Sequence, residues 1–382
     1  MAHNNTVMNQ MLQLIPRHQF EAIVKKYSAN RYVKRFNCWN QLTTLLYAQA
    51  SGKESLREIE PGLQVNNPRL YHLGLPKIKR STLADANQKR PSEIFEGLFY
   101  KLLERCQMLT PKHKFKFKNP LYSLDATIID LCLNSFRWAR FRKAKGGIKL
   151  HCQLDHSGHI PSFLVITDAK QYETTVTKKF LDIIPDSIYC FDRAYNDFVL
   201  YRRITESKAF FVTKAKDNLD HQVTGQHTET LKKGILSDEI IKLNNKKYTR
   251  ELRLVRFYDN MSGEILTFLT NNFHLAPHTI TQIYKARWQI EIFFKWIKQN
   301  LKIKTFLGTH QNAVLTQIWV AMCYFLLLAY IKYQTKYKHS LFYLHRIIKD
   351  TLLARLTLID LLRASPAKLS QFKSGEFQYS FL

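Results

Sequence analysis

At residue 121 of this 382-residue chain the hydrophobic pattern changes period, and that change limits the fold more than any other feature. Residues 12 to 108 read as helices, with Phe20, Ile23, Val24 and Tyr27 at helical spacing, and Leu42, Leu45 and Leu46 likewise. From 121 the chain reads as strands. LYSLDATIIDLCL is a β-rich run, a second strand follows a turn element at Gly146-Gly147, and IPSFLVITDA forms a third after the turn at 156 to 159. A helix over Thr174 to Ile184, a strand in SIYCFDRAY, a helix from Asp197 to Ser207 and a strand in AFFVTKAK complete the order βββαβαβ. That order implies an α/β fold with one mixed sheet opening on an antiparallel meander. Residues 217 to 275 read as an inserted β-rich module without a large core of its own, with strands in KKYTRELRLVRFYDN and GEILTFLTNN. Helices resume near 277 and run to about 363, and a loosely held tail begins at Ser365.

The charge narrows the function. With 58 Lys+Arg against 30 Asp+Glu, the net charge is +28. An enzyme of small neutral metabolites has no use for such a field, whereas a polyanion such as DNA or RNA does. With 45% hydrophobic residues, 12 Gly and 11 Pro, the chain is a folded protein and not a basic tail. The six cysteines (Cys38, Cys106, Cys132, Cys152, Cys190, Cys323) show no metal-ligand spacing, so free thiols in a reducing cytosol are expected. MAHNNTVMNQ lacks the order of a signal peptide. The apolar run Val314 to Tyr330, interrupted by Gln317, reads as a buried core helix and not a membrane span.

Two acids stand in or at the ends of the strands. Asp125 lies within an otherwise apolar strand, on one face with Leu121, Ser123 and Thr127. A carboxylate there is costly unless it is paired or binds metal. Asp192 ends the fourth strand in Asp-Arg-Ala-Tyr, and strand carboxyl ends are where open α/β sheets gather ligands. Asp130 points to the opposite face, Asp155 and Asp168 read as turn or end residues, and Asp197 caps the following helix. His151 and His156 read as structural or solvated.

A third acid comes from YKARWQIEIFFKWIK. On one helix, Tyr284, Arg287, Glu291 and Lys298 fall within about 60° of one another at 100° per residue. Ile283, Ile290, Phe293, Phe294, Ile297 and Leu301 cover another side and predict a packed stripe. The polar face is either a solvated row of charge pairs or a site in which the carboxylate holds metal and the cations and phenol hold a phosphate. Asp125, Asp192 and Glu291 together make an oxygen-rich site for Mg²⁺, and two such ions about 4 Å apart activate a water or a 3′-hydroxyl.

Two other segments suit DNA. Gly74 and Pro76 mark a turn, Ser81 is a candidate cap for a helix to about Arg90, and Pro91 starts another. Ser81, Thr82, Asn87, Lys89 and Arg90 are candidate DNA contacts if this is a helix-turn-helix; a small helical bundle with a polar surface is the alternative. Residues 111 to 120, PKHKFKFKNP, form a basic linker with alternating Lys and Phe. Residues 137 to 149 hold six Lys or Arg and no acid, and Lys214, Lys216, Lys295, Lys302 and Lys304 add charge around the strand and helix ends.

These residues resemble the DDE transposases of bacterial insertion sequences, specifically insertion-sequence family four. Its signature is Tyr, two residues, Arg, three residues, Glu, six residues, Lys, and Tyr284, Arg287, Glu291 and Lys298 satisfy every spacing. Asp125 in LDAT and Asp192 followed by Arg193 and Tyr195 also match, and RSTLADANQKR resembles the helical domain ahead of the core in one branch. The resemblance covers nearly the whole chain.

It implies an RNase H-like mixed-sheet catalytic core with a β-rich insertion and an N-terminal helical domain. The expected division is 1–110 for the helical DNA-binding domain, 111–216 for the first part of the core, 217–275 for the insertion, 276–340 for the second part with the signature helix, and 341–382 for a helical segment and tail. It implies cut-and-paste transposition with Mg²⁺, or Mn²⁺ as substitute: a nick at the element end, a hairpin formed by the freed 3′-hydroxyl, reopening, and attack on target DNA. Asp125, Asp192 and Glu291 would hold metal. Tyr284, Arg287 and Lys298 would grip phosphates, with Arg193, Tyr195, Lys214, Lys216 and Lys295 nearby. Partners would be double-stranded DNA and a second copy on paired ends, with no membrane, in the bacterial cytoplasm at the nucleoid. One departure concerns the Trp with which relatives stack a flipped base. Trp39, Trp138, Trp288, Trp296 and Trp319 all lie outside 217 to 275, leaving Phe257, Tyr258 or Phe268 as substitutes. Ala194 stands where relatives often carry Gly. A metal-dependent nuclease and a DNA-binding relative without catalysis are the other readings.

Overall fold

Strand pairing follows the alternation in the sequence. The structure, a computed structural model, describes residues 6–70, 73–142, 145–227, 234–301, 303 and 305–363. The tail from Ser365, Lys143, Lys302 and Lys304 lie outside the described residues. The strands are β1 (Leu121–Leu131), β2 (Arg140–Arg142), β3 (Lys145–Asp155), β4 (Ile160–Asp168), β5 (Ile188–Phe191), β6 (Phe210–Lys214), β7 (His221–Gln226), β8 (Ile235–Leu243), β9 (Leu252–Asp259) and β10 (Glu264–Thr270). They form one sheet in the order β2-β3-β1-β5-β6-β10-β9-β8-β7, with β4 paired to β3.

β3 and β4 run antiparallel, whereas β5 pairs in parallel with both β1 and β6. Strands β7 to β10 continue this sheet: β10 lies antiparallel on β6, with Phe268 opposite Lys214. Gly146 and Gly147 belong to β3 and form no turn. The reason is pairing, since the Gly147 carbonyl accepts from the Ala169 amide beyond β4.

Contacts divide the chain into two units, one of residues 1–110, 131–140 and 296–382, the other of 111–130 and 141–295. In the second unit each face of the sheet buries its own cluster. Tyr122, Leu124, Phe191, Tyr201, Phe211 and Leu254 fill one, beside α8 (Glu173–Phe180) and α9 (Phe198–Glu206). Leu121, Cys190, Val212, Phe268, Ile280 and Ile283 fill the other, under α10 (Pro277–Ala286). The α8 helix stops at Phe180, short of Ile184, because Leu181 turns extended.

The first unit is helical. It contains α1 (Val7–Gln13), α2 (Arg17–Lys26), α3 (Cys38–Ser51), α4 (Leu56–Val65), α5 (Asn67–Leu70), α6 (Arg80–Lys89) and α7 (Glu93–Gln107). After α11 (Trp288–Asn300), which spans the division, come α12 (Gln311–Gln334), α13 (Leu341–Thr351) and α14 (Leu358–Arg363). Val314 to Tyr330 lies within α12; the helix is long and apolar enough to cross a membrane, and 89% of its most apolar window is buried inside the protein. An apolar helix buried all round is the core of such a bundle. Asn312, at its first turn, donates to the carbonyls of Asn87 and Arg90 and accepts from the Ser92 amide, fixing the α6–α7 corner.

Candidate active site

The register of β1 and β5 decides where the first two acids meet. Leu121 pairs with Ile188 and Leu124 with Phe191, so the next residues in step are Asp125 and Asp192. Adjacent strands are about 4.8 Å apart, which puts Asp125, inside β1, beside Asp192 at the end of β5. Asp192 leaves β5 and caps a short 3-10 turn over Arg193–Tyr195, with one oxygen accepting from the Ala194 amide at 2.8 Å. Asp125 Oδ1 accepts from the Ala126 amide at 2.8 Å.

The third acid arrives by helix. The apolar stripe of Ile283, Ile290, Phe293, Phe294, Ile297 and Leu301 is buried throughout. The helix is not continuous: α10 ends at Ala286 and α11 starts at Trp288, with Arg287 at the joint. The joint keeps the polar face aligned, because the Ile290 amide bonds the Arg287 carbonyl in a tight turn. The guanidinium of Arg287 donates from Nη2 to Glu291 Oε1 at 2.7 Å, and its Nη1 stands 3.7 Å from Asp125 Oδ2. The side chains of Arg287, Asp125 and Glu291 are 13%, 21% and 33% exposed, a half-closed site.

Burial pushes the Asp125 carboxyl up to about 6; the Ala126 amide and Arg287 pull it back, and Asp192 and Glu291 push it further. Asp125 therefore feels both other acids. Three carboxylates with oxygen donors only are the ligand chemistry of a hard divalent cation. Among the described residues no group of three acidic, His or Cys side chains is close enough to hold an ion. Arg287 lies between Asp125 and Glu291 and supplies the positive charge there.

The remaining expected site residues fall in different places. Tyr284 is half-buried on α10, packs on Phe268 at 4.9 Å, and lies under the Arg287 guanidinium at 5.5 Å. Lys298 is half-buried two turns beyond Glu291 on α11, and Lys295 is exposed. Lys214 ends β6 and Lys216 is exposed just after it. Arg193 is exposed and pairs with Asp217 at 3.2 Å. Tyr195 is 2% exposed and belongs to the α9-side core, because the 3-10 turn points it inward.

On α6, Ser81, Thr82 and Lys89 are exposed, but the helix is capped at Lys79 and Ser81 lies inside its first turn. Asn87 is buried and accepts from Gln41 at 2.9 Å. Arg90 donates to Gln41 Oε1 and to the Phe36 carbonyl. Both are therefore turned into the helical unit. Of the aromatic substitutes, Phe257 and Phe268 are buried, and Tyr258 is exposed near the β9–β10 turn, where Lys285 of α10 pairs with Asp259 at 3.1 Å. Lys178 and Lys247, which line a pocket near Asp192, were not marked in the sequence reading; only the folded chain brings them together.

Known proteins resemble this chain in sequence and in fold. The family described as Transposase DDE domain matches residues 116–326, and a Domain of unknown function (DUF4372) matches residues 3–76. The chain is 27% identical over 340 residues to a probable transposase for insertion sequence element IS5377 of Geobacillus stearothermophilus, covering 88% of this chain and 87% of the relative. It is 32% identical over 253 residues to the putative transposase y4zB of Sinorhizobium fredii, covering 64% and 69% of the two chains. A cryo-EM structure of piggyBac transposase in a synaptic complex with hairpin DNA is similar in fold, with TM-score 0.50 and 10% identity over 100% of this chain and 87% of that one. The mixed parallel and antiparallel sheet flanked by helices is thus a transposase-type fold.

The chain belongs to the transposase DDE domain family. It is a bacterial insertion-sequence transposase, an enzyme that cleaves and transfers DNA strands, and that family membership implies divalent-metal dependence.

Proposed function

We propose that this transposase moves its element by cut-and-paste transposition, in the Tyr-Arg-Glu-Lys group of insertion-sequence family four, on an RNase H-like core. The single observation that carries the reading is the register that sets Asp125 beside Asp192, with Arg287 linking Asp125 to Glu291. Asp125, Asp192 and Glu291 are the residues that would hold Mg²⁺, or Mn²⁺ in its place. When bound, the metal would activate the attacking oxygen and stabilise the leaving one.

The chain's own groups do the rest. Arg287 offers a planar, two-pronged donor for a non-bridging phosphate oxygen. Tyr284 supports that guanidinium from below and offers a phenol. Lys298 and Lys295 carry charge along the same helix toward the flanking DNA. Attack of the freed 3′-hydroxyl on the opposite strand gives a hairpin, and exposed Tyr258 is the aromatic of the β9–β10 ribbon available to stack an unpaired base. Two copies on paired ends, acting in the bacterial cytoplasm on the nucleoid, complete the reading.

The test is incubation of the full chain with Mg²⁺ and a labelled duplex carrying the element's own ends, beside Asp192→Ala. Nicks, hairpins and joined products, lost in the variant, support the proposal. Nicks without joining would make it a nuclease, and binding without cleavage a DNA-binding relative.

A further inference from the structure

Four residues beyond Asp192 the chain reaches the wall of a second concavity. This pocket, of about 220 Å³, is lined by Lys178 of α8, Asn196, Asp197, Lys216 and Lys247. At about 30 Å³ per water it has room for roughly seven waters, enough for a phosphate and part of a sugar.

Its charge is unbalanced. Lys178 Nζ donates to Asp197 Oδ2 at 2.6 Å, so that lysine is already answered. Asp197 Oδ1 accepts from the amides of Val199 and Leu200 at 2.9 and 3.0 Å, so the start of α9 is capped and offers no free amides there. Lys216 and Lys247 are exposed, and among the described residues neither ammonium has a carboxylate partner. Two uncompensated lysines therefore face one pocket.

The pocket is mechanically tied to the acids. Thr213 Oγ1 donates to Asn196 Oδ1 at 2.9 Å and stands 3.3 Å from the Asp192 carbonyl. Asn196 Nδ2 in turn donates to the Lys214 carbonyl at 3.0 Å. A ligand held against Asn196 is thus held at a set distance from Asp192. We infer that the pocket walled by Lys178, Lys216 and Lys247 binds a backbone phosphate of the DNA strand beside the cleaved bond, a grip that sets which phosphodiester lies over the acids. This rests on the transposase reading and adds a subsite to it.

The experiment measures equilibrium binding of the full chain to its end duplex across a fourfold range of salt, in metal-free buffer. Each phosphate contact contributes about 0.9 to the log–log salt slope. The Lys216→Ala/Lys247→Ala pair, which loses the one phosphate contact, is expected to lower the slope by about 0.9, so that its affinity loss over that range is about 3.5-fold smaller than that of the unsubstituted chain. Lys216→Arg/Lys247→Arg is expected to restore the slope. A scan of uncharged methylphosphonates along the duplex is expected to find one position that weakens the unsubstituted chain and leaves the Ala pair unaffected. Should the Ala pair fail to fold by circular dichroism, Lys247→Gln alone is read the same way.

An unchanged slope in a folded variant overturns the subsite, as does a lowered slope with no such position. Binding of inorganic phosphate at these lysines without any change in DNA slope assigns the pocket to a free anion and also overturns it. Failure of the unsubstituted chain to bind or cleave end DNA at any salt is the distinct result that removes the transposition reading itself.

Discussion

The Arg287 guanidinium lies 3.7 Å from Asp125 and 2.7 Å from Glu291, so one side chain joins the acid of a strand to the acid of a helix. That link sets how far apart the two carboxylates stand before any cation or DNA arrives. Replacing Arg287 by Ala leaves three coupled acids without their fixed counter-charge. Single-turnover nicking of end DNA should fall by about 100-fold, the scale of removing one preorganised donor. Lys should not restore it, since a point charge cannot span both partners. Nicking by Arg287→Lys at the unsubstituted rate would refute this role.

Burial of the Asp125 carboxyl makes stability depend on pH. Its folded carboxyl titrates at about 6, above the ordinary carboxylate range, chiefly through burial. The folded state therefore holds a proton that the unfolded chain has already released between about 4 and 6, and stability declines as pH rises through that window. Asp125→Asn removes the buried charge. In chelator at pH 8 it should raise unfolding free energy by about 1–3 kcal/mol, at about 1.4 kcal/mol per pKa unit, and below pH 4 the gain should vanish. Denaturant unfolding at the two pH values checks it, and equal stability at pH 8 would count against it.

Two histidines act in the opposite sense. Burial, helped by Lys149, lowers His151 to about 4, and burial, helped by His159 and His113, lowers His156 to about 3. Each shares a hydrogen bond while neutral, His156 with Ser123 at 2.7 Å and His151 with Thr167 at 2.9 Å. Below about 6.5 the unfolded chain binds protons that the folded state refuses, so stability falls as pH drops toward 4. The slope is about 1.4 kcal/mol per pH unit per histidine, partly offset by Asp125. In His156→Gln the acid slope should lose about one proton's worth between pH 6.5 and 4, whatever the variant's absolute stability. A slope unchanged from the parent would show that His156 protonates freely in the fold.

The β8–β9 ladder is pinned to α10 by a buried ion pair. Arg253 donates from Nε and Nη2 to the two oxygens of Asp238, each at 2.7 Å, and from Nη1 to the carbonyls of Leu275 and Asn272. Both side chains are fully buried. Asp238→Ala strands a cation in the interior and should cost about 3–5 kcal/mol, whereas replacing both partners with apolar residues of similar size should cost far less. Comparing the single and double variants by thermal unfolding tests this. Because Leu275 leads into α10, the single variant should also slow end cleavage; full activity at a temperature where it is folded would uncouple the two.

What the sequence could convey depended on whether a residue answers to its neighbours in the chain or to partners far away. The apolar stripe from Ile283 to Leu301 and the apolar interior of α12 were legible, since helical spacing alone fixes which side is buried. The strands β1, β3 to β6, β9 and β10 were legible from strand composition and turn signals, whereas β2, β7 and β8 were not read as strands. Tyr195 was not, because a polar sequence around it hides a 3-10 turn that sends the ring inward. Asn87 and Arg90 read as surface residues, yet Gln41, 46 and 49 positions away, claims both. The break at Arg287 left no trace in a helix-forming sequence. Neighbouring placement of Asp125 and Asp192 required a parallel register, which no local pattern encodes.

The pairing of β10 on β6 carries one more consequence. Without residues 217 to 275, β6 would be the outer strand of the sheet, presenting a row of unsatisfied amides and carbonyls to any chain it met. The β-rich segment is thus a seal as well as an addition. A shortened chain made by cutting it out and splicing the ends should be insoluble before it is inactive, so trimming this enzyme to a minimal core would call for a redesigned, charged β6.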